Sequence, residues 1–275
     1  MKYVVSYRGI PQSRGWATGD CLIRALHFLG YEAIPYGNYH QTSEFMGTAL
    51  PEKDDVLIFL ECNDGDPQYL SLIDLPCCKV FWDFDTEMHL EASLFLSHRF
   101  DFVFLANPAY LVEFNRSQYL PYAFDHLWMK SDEKPKKGAA VIGSPFSARM
   151  NFARTIDADM VSGIYRQQYL DVIKQLKVNV HNLASGGREL LVMRIFETMG
   201  LGTTLLTEFS KTLERHFVDG EDLITYQDAK DCKAKLDLLL GDDYYCDKIA
   251  KQGQAKVLAH HTYVNRAKII LGAIA

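Results

Sequence analysis

Short apolar runs alternate with stretches whose apolar residues recur at helical spacing, a pattern that predicts strands joined by helices. Lys2–Tyr7 reads as the first strand. A loop punctuated by Gly9, Gly15 and Gly19 follows, then a helix from about Asp20 to Leu29. Asp20 suits the helix N-cap and Gly30 its stop. Asp55–Leu60, Cys78–Trp82 and Phe102–Ala106 are further strands, and Tyr119–Ala123 leads out of this half. The polar, mixed-charge stretch Lys130–Lys137 reads as a solvated linker. After it the theme restarts with strands at Ala139–Gly143, Lys177–His181, Thr203–Thr207 and Leu223–Tyr226. Lys248–Ile274 reads as two helices with a break near His260-His261-Thr262.

The class implied is α/β with parallel sheets, arranged as two tandem Rossmann-like domains. A length of 275 residues points the same way at ~100–200 residues per domain. Charge sharpens the division. The chain carries −6 overall, but residues 1–128 hold 8 Lys and Arg against 17 Asp and Glu, a net −9. Residues 129–275 hold 21 against 18, a net +3. The first half repels polyanions, which disfavours duplex DNA as a partner, while the second tolerates a phosphate-bearing ligand. No apolar run approaches the ~20 residues of a membrane span, and the N-terminal apolar stretch is too short for a signal peptide. The six cysteines form no C-x-x-C pair, so neither a disulfide framework nor a zinc site is expected, and a cytoplasmic location is. No G-x-G-x-x-G follows a strand and no G-x-x-x-x-G-K-[ST] occurs, which removes dinucleotide oxidoreductases and P-loop NTPases.

The stretch with most chemistry is Ser185–Gly202. Glu189 and Glu197 are separated by seven residues; were the segment fully helical, eight steps would set them roughly 12 Å apart along the axis. That is the scale of the sugar and ribose of one nucleotide-sugar. Ser185-Gly186-Gly187 ahead of a helix offers backbone N–H groups to an anion. A carboxylate suits a sugar hydroxyl, because it only accepts and the hydroxyl must donate. A surface helix with two solvated glutamates fits the spacing equally.

Arg194–Gly200 followed by Gly202–Thr207 resembles the donor-site helix and strand of GT-B glycosyltransferases, in particular the group that includes the spore-maturation CgeB-like proteins. Leu213–Asp228, Ile249–Gln254 and His261–Ala267 resemble later elements of that group, and Tyr119–Asp125 and Val141–Arg149 earlier ones. The likeness covers roughly residues 100–275 in the expected order.

The resemblance implies two domains facing a cleft. Residues 1–128 would form the acceptor side and 129–275 the nucleotide-sugar side, with the last helix able to pack back on the first domain. It implies a metal-independent, retaining transferase of the Glu-x7-Glu type that takes a nucleoside-diphosphate sugar, UDP-sugar first, and needs no other cofactor. By residue-wise match, Glu189 would contact the donor sugar near its reacting centre and Arg149 would neutralise the leaving diphosphate. Glu197 would hold the ribose, with Gly143, Ser144, Ser185, Gly186, Gly187 and Arg188 along the donor. Arg194 is open between a second phosphate contact and an ion pair anchoring its helix.

Asp83-Phe84-Asp85 has the spacing of a cation-binding pair but lies in the acidic half. Asp85 and His89, with Arg14 and Gly15, are candidate acceptor or sugar contacts; the alternative for the tract is a loop capping a helix that begins near Thr86. Adjacent His260 and His261 would point ~100° apart on a helix and not share one ion. The acceptor (glycan, lipid-linked sugar, protein, modified nucleobase or small molecule) and the oligomeric state are not legible. A catalytically silent nucleotide-sugar or glycan-binding module and a nucleotide-sugar epimerase are the competing readings.

Overall fold

The computed structural model describes residues 1–7, 17–36, 50–60, 72, 74–130, 136–182 and 189–275. The chain divides into two compact units, Met1–Tyr122 with Tyr263–Ala275, and Ala123–Thr262. No helix among the described residues is long and apolar enough to cross a membrane.

The first unit is built on strands β1 (Tyr3–Ser6), β2 (Ala33–Tyr36), β3 (Val56–Leu60), β4 (Cys78–Asp83), β5 (Phe102–Leu105) and β6 (Ser117–Tyr119). They form one parallel sheet in the order β2-β1-β3-β4-β5-β6. Every residue of β3 is buried, as a strand in a sheet covered on both faces requires. Phe59, Phe81 and Phe100 pack as a tilted aromatic cluster on one of those faces.

Helix α1 runs Thr18–Phe28 and begins before Asp20. Asp20 is therefore inside the helix and not its cap; its buried carboxylate accepts the Tyr7 hydroxyl at 2.5 Å. Helix α2 (Leu90–Ser97) starts later than the Thr86 expected from sequence. Thr86–His89 is spent on turns, with the amides of Met88 and His89 bonded to the carbonyls of Asp85 and Thr86.

The second unit is built on β7 (Lys137–Ile142), β8 (Asp159–Val161), β9 (Leu176–His181), β10 (Thr204–Glu208) and β11 (Ile224–Tyr226), again all parallel. Their order is β11-β10-β9-β7-β8. Helices α3 (Ser147–Thr155), α4 (Arg166–Gln175), α5 (Met193–Gly200), α6 (Lys211–Glu214), α7 (Ala229–Gly241) and α8 (Asp243–His260) accompany it. Ser210, Asp228 and Asp242 cap α6, α7 and α8 through their side-chain oxygens, each satisfying an otherwise orphaned amide. Helix α5 closes on Gly202, whose φ of 75° is the left-handed conformation a glycine adopts without a Cβ clash. The last helix, α9 (Tyr263–Ile274), belongs to the first unit and packs on α1. There the buried Arg266 donates to the carbonyls of Pro121 and Tyr122 at 2.8 and 3.0 Å.

In the second sheet the strand order reverses between β7 and β9. Chain connections leave those two strands in opposite directions, which opens a crevice beyond their carboxyl ends, the usual ligand position in open parallel sheets.

Candidate active site

Two arginines converge at that point. Strand β7 ends at Ile142, and Gly143, Ser144 and the first turn of α3 follow directly. Arg149, in that first turn, is buried and donates through Nη1 to the Ser144 carbonyl at 2.7 Å and through Nη2 to the Asn182 carbonyl at 3.4 Å. Arg194, at the start of α5, donates to the Ile142 carbonyl at 2.5 Å. Both guanidiniums crowd the Cα of Gly143, where a Cβ would lie 2.6 Å from Arg194 Nη1 and 3.0 Å from Arg149 Nη1. Gly143 is thus the residue that lets the two charges approach one strand end.

Neither arginine has a carboxylate within ion-pair distance among the described residues. Among the described residues the Arg194 side chain is held by the Ile142 carbonyl and makes no ion pair that would anchor its helix. Arg149 Nε is buried with no hydrogen-bond partner among the described residues. A buried donor left unmade costs free energy, and two like charges side by side add to the cost. Burial and the neighbouring Arg194 charge lower the Arg149 pKa from its ordinary value. The same pair acts on His181 at the end of β9. Fully buried and facing both guanidiniums, its imidazole is pushed down to about 3 and is neutral at any physiological pH. Its Nδ1 lies 3.2 Å from Thr207 Oγ1. A compact pair of cations at a strand switch point, with no carboxylate partner among the described residues, is suited to an anion.

Glu197 sits one turn beyond Arg194 on α5, and residues three apart share a helix face. It is 1% exposed, and its Oε2 accepts the hydroxyl of Tyr169, on α4, at 2.6 Å.

Glu189 is not on that helix. Helix α5 begins at Met193 and the described residues ahead of it, Glu189–Val192, are non-helical, so the continuous helical ladder that would set the two glutamates roughly 12 Å apart does not exist. Glu189 lies in a turn, where its Oε2 accepts both the amide (2.9 Å) and the hydroxyl (2.6 Å) of Thr212. Ser185, Gly186, Gly187 and Arg188, and likewise Arg14 and Gly15, lie outside the described residues.

The structure brings together Gly143, Ser144, Arg149 and Arg194, with Glu197 adjoining. In the first unit, Asp85 and His89 follow β4. Asp85 is half-buried, and that burial, with Glu87 and Asp83 beside it, raises its pKa. Glu87 accepts from Asn107 at 3.3 Å. Among the described residues no group of three or more His, Cys, Asp or Glu is placed to hold a metal ion. Sequence reasoning passed over Tyr169, Thr212 and His181. His181 alone had a signal, its position at the carboxyl end of a central strand. The other two meet their glutamates across 28 and 23 residues.

The fold, two units each built on a parallel sheet, is that of the GT-B class, and solved glycosyltransferase structures share it. HepE of Anabaena, in complex with UDP and glucose, superposes with a TM-score of 0.72 at 11% identity, covering 100% of this chain and 99% of that one. Sucrose-phosphate synthase from Thermosynechococcus elongatus gives 0.69 at 11% identity over 100% and 98%. T4 phage BGT in complex with UDP and Mn2+ gives 0.67 at 9% over 100% and 98%. Comparison with curated protein sequences finds no match. The glycosyl transferase-like family model matches residues 126–272, more than half of the chain, and the protein belongs to that family. It is a glycosyltransferase.

Proposed function

We propose that the protein transfers a sugar from a UDP-sugar to an acceptor hydroxyl with retention of anomeric configuration and without a required metal ion. The observation that carries this reading is the pair Arg149 and Arg194 closing on Gly143 at the strand switch point. The leaving diphosphate gains negative charge as the glycosidic bond breaks. Two guanidiniums already in place stabilise that charge without reorganising, a contribution commonly worth 10²–10³ in rate for one donor. UDP or a UDP-sugar in the structures of HepE and of T4 phage BGT supports this choice of donor. Ser144 and the start of α3 would lie along the diphosphate.

Glu197 is assigned to the ribose. From Arg194 to Glu197 is three residues, roughly 4.5 Å of helix rise, which suits the adjacent phosphate and ribose of one nucleotide. Glu189 is assigned to the sugar near its reacting carbon. In a front-face course the acceptor oxygen bonds to the anomeric carbon as the bond to the diphosphate oxygen breaks. The acceptor proton passes to the departing phosphate oxygen, so no enzyme nucleophile is needed.

The experiment is a panel of UDP-, GDP- and dTDP-sugars read by nucleotide release, with EDTA and with Mn2+ in parallel. UDP release that EDTA leaves unchanged and that Arg149→Ala lowers about 10²-fold or more is the expected result. Strict Mn2+ dependence would overturn the metal-independent part. Isomerised donor in place of free UDP would indicate an epimerase, and UDP binding with no turnover a silent module.

A further inference from the structure

We infer that Tyr169 is a positioning residue that sets the Glu197 carboxylate for the donor ribose, an inference that rests on the ribose assignment of Glu197 made above. Tyr169 is buried on α4, and its phenol donates to Glu197 Oε2 at 2.6 Å. That is the short O–H···O⁻ geometry of a charge-assisted hydrogen bond. Glutamate has three side-chain torsions, and a carboxylate that must accept from two ribose hydroxyls works only in one orientation. A donor fixed on a neighbouring helix selects that orientation before the nucleotide arrives, which reduces the ordering cost of binding.

The phenol stays a donor. Burial and the Glu197 charge hold the Tyr169 pKa well above its ordinary value, and the opposing pull of Arg194 is smaller. The hydroxyl is therefore available to the carboxylate at any working pH. Because Tyr169 would act on the nucleotide through the Glu197 carboxylate, its removal should register in how the ribose is recognised and not in how the phosphates are.

The test is calorimetric titration of UDP and of 2′,3′-dideoxy-UDP into the wild type, Tyr169→Phe, Glu197→Gln and the double variant. The wild type is expected to prefer UDP by about tenfold or more, as hydrogen bonds to a charged acceptor allow. Tyr169→Phe is expected to bring that ratio toward one with dideoxy-UDP binding unchanged, and to add nothing in the Glu197→Gln background, the signature of residues acting as a unit. Tyr169→Phe removes one oxygen atom. If it fails to fold, Tyr169→Met takes its place with the same outcomes. Equal weakening of both ligands, additive effects in the double variant, or an unchanged preference overturns the inference. Loss of preference in Glu197→Gln with retention in Tyr169→Phe overturns it alone. A wild type that does not distinguish the two nucleotides, or binds neither, overturns the ribose assignment and this inference with it.

Discussion

Thr212 gives both its backbone amide and its hydroxyl to one oxygen of Glu189, at 2.9 and 2.6 Å. The carboxylate assigned to the donor sugar is therefore fixed from the first turn of α6 and not from the helix that carries Glu197. Thr212 is 1% exposed, so Thr212→Val keeps the volume and the amide bond and deletes only the hydroxyl. A hydrogen bond to a charged group is worth about 1.5–3 kcal/mol. Steady-state assays are expected to show kcat lowered by roughly tenfold with little change in KM for the UDP-sugar. An unchanged kcat would remove Glu189 from the reacting centre.

Gly143 makes room for two guanidiniums at one strand end. Gly143→Ala places a methyl group against the ends of both, and they must move by tenths of an ångström or more. UDP affinity is expected to fall by about tenfold, the order of one displaced charge-assisted contact, and the melting temperature to fall as well, because the Gly143 φ of 157° strains any side chain placed there. Titration calorimetry and thermal unfolding read the two effects separately. A variant that binds UDP as the wild type does would show that the arginines need not meet there.

The fully buried His181 gives the fold a pH dependence of defined sign. Its pKa is about 3 in the folded chain against 6.5 ordinarily, so between those values the unfolded chain binds the extra proton. The stability that His181 contributes as a neutral group is complete above about pH 6.5 and is lost as the pH falls toward 3. Urea titrations from pH 7.5 to 4 are expected to show His181→Gln with a shallower loss than the wild type, by up to about 1.4 kcal/mol per pH unit. Parallel slopes for the two proteins would contradict the burial of a neutral His181 beside the two arginines.

The central strands were legible because their apolar runs are continuous; Val56–Leu60 is buried at every position. The strands that escaped, β2, β6 and β8, all lie at sheet edges. Ala33–Tyr36 carries Pro35, Ser117–Tyr119 is polar, and Asp159–Val161 has three residues. An edge strand is half solvated and often interrupted, so it leaves little pattern.

The site was legible where its ligands fall within one motif, as with Arg149 near Gly143, or Arg194 near Glu197. It was not legible where tertiary contacts decide. The spacing of Glu189 and Glu197 suggested one helix, but the chain from Glu189 to Val192 is non-helical. The carboxylate of Glu189 is held instead by a residue 23 positions away.

In the function proposed above, Arg149 and Arg194 receive the diphosphate of a UDP-sugar. Titration of UDP and of uridine into the wild type and into the Arg149→Met, Arg194→Met double variant tests it most directly. UDP is expected to bind the wild type at least about 10²-fold more tightly than uridine, as two charge-assisted contacts imply. That advantage should collapse in the double variant while uridine binding holds. UDP and uridine binding the wild type alike, or an advantage that survives loss of both arginines, would contradict it.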